Sequence, residues 1–381
     1  MSGKLLARFY IAIAAVVLTT SIVLLPGKDP LQARMQDQVK GQEKTVEQVK
    51  KNIQALKGLP ASQLNMVMDY FAASLGVRCD HCHVIDATGW YMDKDDKPTK
   101  RTARKMIQMV MDLNSKEFGG RSAVTCYTCH HGSSEPAKMI TLPQPPAKGG
   151  DEEETAAALP ATEQVIAMYE KALGGADAVK KITSRVSKGV EVNQDGKEAP
   201  LEIAQQGSDK YVSTATINEG MTRTEGVNGE KGWMSSPRGA RPLSPDQVEE
   251  VKRDGALFPL SRIMELAKTA HVSKKETVNG VPAFELASPA GERTTERYYI
   301  DSAKGLLVRR VIVTETMVGN IPEQVDYSDY RAIDGVQVPF EVRISAVDPR
   351  DNSTRRFKTI EQNTTIDEKK FAVPEMKPRG R

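Results

Sequence analysis

Cys79-Asp80-His81-Cys82-His83 and Cys126-Tyr127-Thr128-Cys129-His130 repeat one five-residue pattern, C-x-x-C-H, and together use all 4 cysteines of the chain. That pattern reads as covalent attachment of c-type haem. Two thiols on one tight turn can each add to a haem vinyl group, and the imidazole that follows then lies under the iron as proximal ligand. The reading assigns Cys79, Cys82, Cys126 and Cys129 to two covalently attached haems c, with His83 and His130 on their irons. A structural zinc site also pairs cysteines with histidines. It does not call for a histidine directly after each pair, nor for the long insert between the pairs. A disulfide framework has no further cysteine to draw on.

Each iron needs a sixth ligand, and methionines gather just upstream of both motifs. Before the first, Met68, Phe71, Ala72 and Leu75 recur at helical spacing. This predicts a helix with one apolar face, ended by Gly76 so that the chain doubles back to Cys79. Met66 stands about 160° from Met68 around such a helix and serves only if the boundary shifts. Before the second motif, Met106, Met109, Val110 and Leu113 form the apolar stripe, with lysines and arginines opposite. On this reading either Met106 or Met109 reaches iron; the plain alternative is core packing, since thioethers fill irregular gaps.

The runs Leu75-Gly76-Val77-Arg78-Cys79, Ala103-Arg104-Lys105-Met106 and Val124-Thr125-Cys126-Tyr127-Thr128-Cys129-His130-His131-Gly132 resemble the cytochrome c subunit of photosynthetic reaction centres. The resemblance covers about residues 59–132 and implies a helix carrying the axial methionine, a turn, and then C-x-x-C-H in each unit. Carried over by motif, it implies Met68 and Met106 as distal ligands. This chain has two motifs where the tetrahaem subunits have four. It also has His131 where the family usually has arginine, and no histidine between Asn114 and Cys126. A role in photosynthesis does not follow.

The 381 residues carry 53 basic and 50 acidic side chains, with no basic excess of the kind nucleic acid demands. Lys4 and Arg8 precede an uncharged apolar run from Phe9 to Leu25, the layout of an export signal. The run is long for a cleaved peptide and marginal for a span. Residues 1–28 are read as a signal anchor, with a cleaved signal peptide as the alternative. Either places the rest of the chain on the periplasmic side of the inner membrane. Leu31, Met35, Val39, Val46, Val49, Ile53 and Leu56 stand near heptad spacing. Residues 29–58 are therefore expected as a helical stalk, a dimerising coiled coil or a helix lying on its own domain. The dihaem domain occupies 59–134, with a polar loop at 86–99 in which Trp90 is a candidate shield for a haem edge. Prolines, glycines and an acidic run mark 135–160 as a linker.

From residue 161 the pattern changes. Glu163 to Leu173 reads as a helix stopped by Gly174-Gly175. Alternating segments follow, punctuated by Asp195-Gly196, Asn228-Gly229, Asn279-Gly280, Lys304-Gly305 and Asp334-Gly335. The stretches Gly229-Glu230-Lys231-Gly232-Trp233, Tyr299-Ile300-Asp301 with Gly305-Leu306, and Asp329-Tyr330-Arg331 with Asp334-Gly335-Val336 and Pro339-Phe340 are similar to the half-barrel of lipoprotein-sorting carriers. That resemblance implies fold more than activity.

The expected fold class is multidomain: a mainly α dihaem cytochrome domain, then an α+β domain at 161–375 with a curved antiparallel sheet or half-barrel, and a tail at 376–381. The expected function is electron transfer by a periplasm-facing, membrane-anchored dihaem cytochrome with His/Met-ligated irons, a carrier rather than an enzyme. Its partners would be redox proteins, such as a membrane reaction centre or respiratory complex. Two alternatives stand beside it. One is a dihaem peroxidase with a displaceable distal ligand; the other is a lipid or lipoprotein carrier holding an apolar ligand in the C-terminal domain.

Overall fold

Asn279-Gly280 and Asp334-Gly335 both adopt positive φ, and each closes a two-residue hairpin between directly paired strands. The other three expected turn pairs also fall between strands. The computed structural model describes residues 43–136, 159–218, 221–237 and 239–375. The expected export segment, residues 29–42 of the expected stalk, most of the expected linker and the expected tail lie outside them.

Two antiparallel meanders build the main sheet. The first holds β3 (Ser184–Asn193), β4 (Glu198–Gln206), β5 (Lys210–Asn218), β6 (Met221–Asn228), β7 (Lys231–Ser236) and β8 (Gly239–Pro242). The second holds β9 (His271–Val278), β10 (Val281–Pro289), β11 (Thr294–Asp301), β12 (Leu307–Thr316), β13 (Gly319–Ile333), β14 (Val336–Ser345) and β15 (Ser353–Gln362). Pairing of β3 with β15 joins the meanders into one 13-stranded sheet with β8 and β9 at its edges. Residues from β5 across to β12 line a single cavity together with helical residues. Seven strands spaced about 4.8 Å apart do so only if the sheet curves strongly.

The helices are α1 (Val46–Val49), α2 (Leu64–Leu75), α3 (Pro98–Glu117), α4 (Cys126–His130), α5 (Thr162–Leu173), α6 (Ala176–Lys180), α7 (Pro245–Asp254) and α8 (Leu260–Leu266). Helix α5 buries Val165, Tyr169 and Leu173, one row of its amphipathic face. These pack with Leu260, Ile263 and Leu266 of α8 and with sheet residues Leu286, Tyr298, Ile300 and Leu307 in the largest core. Helices α7 and α8 come from the connection between the two meanders.

The motif-bearing segment departs from expectation in three places. Within the described part of the expected stalk, only Val46–Val49 is helical; irregular chain follows, and Val46 and Leu56 are buried rather than arrayed along a free seam. The expected polar loop at 86–99 contains a small hairpin of β1 (Val84–Asp86) and β2 (Gly89–Tyr91), and α3 already begins at Pro98. The core here also draws on distant chain: Val46, Leu56, Leu59, Val67, Tyr70 and Ile107 cluster with Val318 and Ile321 from the β12–β13 hairpin. A hairpin tip reading Met317-Val318 breaks the rule that turns are polar, and burial of Val318 at 2% exposure supplies the reason.

Ile321→Ala, at a site 1% exposed, should cost about 2–5 kcal/mol and loosen residues 44–132 before the sheet. Limited proteolysis during a thermal ramp checks this: first cuts should map to that segment, and first cuts within β3–β15 would contradict it.

Candidate haem centre

Thr125 caps α4, and so fixes the second motif, by a reciprocal box: the Thr128 amide donates to Thr125 Oγ1 at 3.4 Å and the Thr125 amide to Thr128 Oγ1 at 3.0 Å. Cys126 to His130 therefore occupy one short helix. The first motif is a tighter turn, with a 3₁₀ segment at Cys79–His81 and the His83 amide donating to the Cys79 carbonyl at 2.9 Å. None of the four cysteines is in a disulfide, and burial pushes the Cys82 and Cys126 thiols up.

The two histidines are prepared differently. His130 Nδ1 lies 2.8 Å from the Ser133 carbonyl oxygen, which can only accept. The proton therefore sits on Nδ1, and the Nε2 lone pair is left for a metal. His83 is half-buried; burial first, then the cations Lys100, Arg104 and Lys97, lower its pKa, opposed by the Met92 backbone. Neutral imidazole is the form that ligates.

Helix α3 ties the motifs together. Near its start, Thr99 Oγ1 donates to the His81 carbonyl, Lys97 reaches the Asp80 carbonyl, and buried Lys100 donates to the Met92 and Lys94 carbonyls at 2.7 and 2.6 Å. Asp95 accepts from Arg104 at 2.7 Å, and this bond above all holds its carboxyl well below the usual range. Toward the end of α3, buried Asn114 clamps Val124 in both directions, donating to its carbonyl at 2.7 Å and accepting from its amide at 2.9 Å. The helix thus starts on one motif and ends on the other.

A backbone contact joins them again. The Gly132 amide donates to the Ser74 carbonyl at 2.9 Å. Gly76, at φ +64°, caps α2 so closely against this strand of chain that a Cβ would stand 2.0 Å from the Gly132 oxygen.

The candidate methionines lie outside the fully buried rows of their helices. In α2 the buried row is Val67, Tyr70 and Ser74, while the expected row of Met68, Phe71, Ala72 and Leu75 is only partly covered. Met66 and Met68 both touch the hydrophobic cluster. In α3 the buried residues are Lys100, Ile107, Val110 and Asn114, so of the expected stripe only Val110 is buried. Met106, Met109 and Leu113 are 39%, 50% and 37% exposed. Methionine side chains left partly or largely uncovered, two C-x-x-C-H turns and the His130 tautomer are donors of the kind that covalent haem uses. Trp90 is 66% exposed.

Three contributors were not visible as such in sequence. Gly319 at the β12–β13 tip comes within Cβ reach of both Thr125 and Tyr70. Arg350, from the β14–β15 connection, lies beside the Cys79 thiol and pairs with Asp348. Asp348 in turn crowds Asp69 and Asp351, whose carboxyls are pushed up chiefly by burial. Asn114 carried one cue, a polar residue at an apolar register position.

Gly76→Ala should lose at least about 1–2 kcal/mol from the left-handed backbone alone, and Asn114→Ala about 1–3 kcal/mol from two orphaned backbone groups. Denaturant melts of each variant check these values; unchanged midpoints would mean that neither contact fastens the motifs.

Residues 17–173 match the sequence model of the family described as photosynthetic reaction centre cytochrome C subunit. The reaction-center cytochrome c subunit of Thermochromatium tepidum is 32% identical over 108 residues, covering 27% of this chain and 26% of that protein. Cytochrome c-554 of Chloroflexus aurantiacus is 32% identical over 89 residues, covering 22% and 20%. The chain thus spans about a quarter of the length of the curated relatives it matches. Among solved structures, a DUF1329 family protein from Desulfovibrio piger aligns with 55% of this chain and 97% of its own at TM-score 0.41 and 11% identity. A LolA superfamily protein from Nitrosomonas europaea aligns with 56% of this chain and 99% of its own at TM-score 0.39 and 10% identity. Over residues 17–173, in the part that carries both C-x-x-C-H motifs, this chain is similar to the photosynthetic reaction-centre cytochrome c subunit family.

Proposed function

We propose that this chain transfers electrons as a dihaem c-type cytochrome whose irons are held by His83 with Met68 and by His130 with Met106. The observation that carries the reading is the donor set itself: two C-x-x-C-H turns whose cysteines form no disulfide, each preceded by a helix with a methionine that the protein core leaves partly or largely uncovered. Met66 and Met109 remain the alternatives on the same helices. Bound haem supplies a one-electron iron couple at each motif.

The protein's own residues have separable tasks. Cys79, Cys82, Cys126 and Cys129 hold the groups covalently, so that neither is lost on reduction or oxidation. Ser133 orients the His130 imidazole through the Nδ1 hydrogen bond. Burial beside Lys100 keeps His83 neutral. The Ser74–Gly132 backbone bond and the Asn114 clamp hold the two attachment turns at a fixed separation. Met68 and Met106 would complete the donor set with His83 and His130, and a thioether rather than a second imidazole would raise the potential and favour transfer over substrate chemistry. An export segment before residue 29 and the chemistry of c-type attachment favour action on the periplasmic side of a membrane, anchored by that segment, with a membrane redox complex as partner.

An optical redox titration with haem quantitation tests the reading on protein matured in a host that attaches c-type haem. Two covalent low-spin haems per chain are expected. Met68→Ala and Met106→Ala should each lower one potential by a sizeable part of the roughly 0.8 V span that axial ligands command, with attachment intact. Cys126→Ala should leave the second group poorly attached and the first unaffected. A larger effect of Met109→Ala would reassign the second ligand, a high-spin haem would break the methionine assignment, and bound zinc without haem would remove the proposal.

A further inference from the structure

A second site emerges inside the sheet, unconnected with the thiols. Its cavity, of about 120 Å³, lies between the sheet and the α5 and α7 helices. An engineered apolar cavity of about 150 Å³ takes up benzene. Leu173, Ile203, Val325, Val342 and Ile360 supply apolar wall, but the lining also holds Arg185, Arg253, Arg310 and Arg355 against a single carboxylate, Asp254. Three of these guanidiniums are answered. Arg310 donates to Asp254 at 2.8 Å, Arg253 stands 3.4 Å from the same carboxylate, and Arg355 faces Glu191 at 3.9 Å.

Arg185 is not answered. Only 6% exposed, it makes no ion pair among the described residues. Its Nη1 donates to the Leu257 carbonyl at 2.8 Å and its guanidinium stacks 4.8 Å from the Phe258 ring centre. Nε and Nη2 are buried with no hydrogen-bond partner. Burial without a compensating anion lowers its pKa to about 10. An isolated buried cation is costly unless something pairs with it. The unmet atoms are also the informative ones, because Nε–H and Nη2–H form the side-on edge of the fork that takes a carboxylate bidentately.

We propose that this cavity binds a monoanionic carboxylate, with Arg185 as its recognition residue and the apolar wall receiving the carbon chain. One guanidinium edge offers two parallel donors and one charge, which suits a carboxylate better than a dianionic phosphate. The free acid of a short chain and the headgroup of a longer amphiphile share this chemistry.

Calorimetric titration of the full-length chain at neutral pH with butanoate, octanoate and octan-1-ol tests it. Octanoate should bind at least tenfold more tightly than the alcohol, and Arg185→Gln should remove that preference. If butanoate displaces octanoate, the source is a short free acid; if only octanoate binds, it is an amphiphile headgroup. Equal binding of acid and alcohol, no binding by either carboxylate, or full retention in a folded Arg185→Gln would each overturn the proposal. Should that variant not fold, the acid-to-alcohol ratio on the unaltered chain decides alone.

Discussion

Burial of Val318 and Ile321 among Val46, Leu56, Leu59, Val67, Tyr70 and Ile107 is the constraint on which the motif-bearing segment depends. A stretch of this length, with α1 to α4 as its helices, buries little apolar surface by itself. The β12–β13 tip supplies what is missing. It also touches Tyr70 of α2 and Thr125, the residue that caps the second motif. One hairpin of the sheet therefore meets both the helix before the first motif and the cap of the second, while the same two strands contribute Arg310, Val325 and Tyr327 to the cavity wall.

Polar clamps complete what the small core begins. Lys100 is buried at 8% exposure, a position that would be costly for an unpaired ammonium. Carbonyls of Met92 and Lys94 accept two of its protons, and the Asp95 carboxylate stands 3.2 Å away as its counter-charge. The result is that a polar, hairpin-containing insert is fastened to the first turn of α3 by a charge rather than by hydrophobic contact. Arg104 and Asp95 extend the same fastening, with Arg104 also donating to the Asn52 carbonyl at 2.9 Å.

What was legible in the sequence was what local chemistry determines. C-x-x-C-H, the glycine that ends α2, the Asn-Gly and Asp-Gly turns and the helix before Gly174 all depend on neighbours within a few residues. The helix rows were read less well, for a physical reason. Periodicity reports that a face is apolar, not what covers it, and in α3 the row of Met106, Met109 and Leu113 is as apolar as the row of Ile107 and Val110 that meets protein. Lys100 and Asn114 then mask the inner row, because each is buried through hydrogen bonds to loop backbone six to ten residues away, outside the helix whose period is being read. Met317-Val318 and Arg350 lie far along the chain from the motif-bearing segment they reach, and only the folded sheet delivers them. Arg185 stands in a strand that reads as ordinary alternation, so its isolation became evident only once every nearby carboxylate had been assigned to another cation.

The distance along the chain between the motifs and the hairpin that completes their core has a consequence for the order of events during biogenesis. Synthesis runs from the N-terminus, so Cys79 to His130 emerge long before Val318 and Ile321 exist. Contacts that close so large a loop also form late on entropic grounds. Both thiol pairs consequently pass through a stage in which their surroundings are open, and that stage ends when the hairpin docks. The long separation thus orders folding: both C-x-x-C-H turns are made before the core beneath them can close.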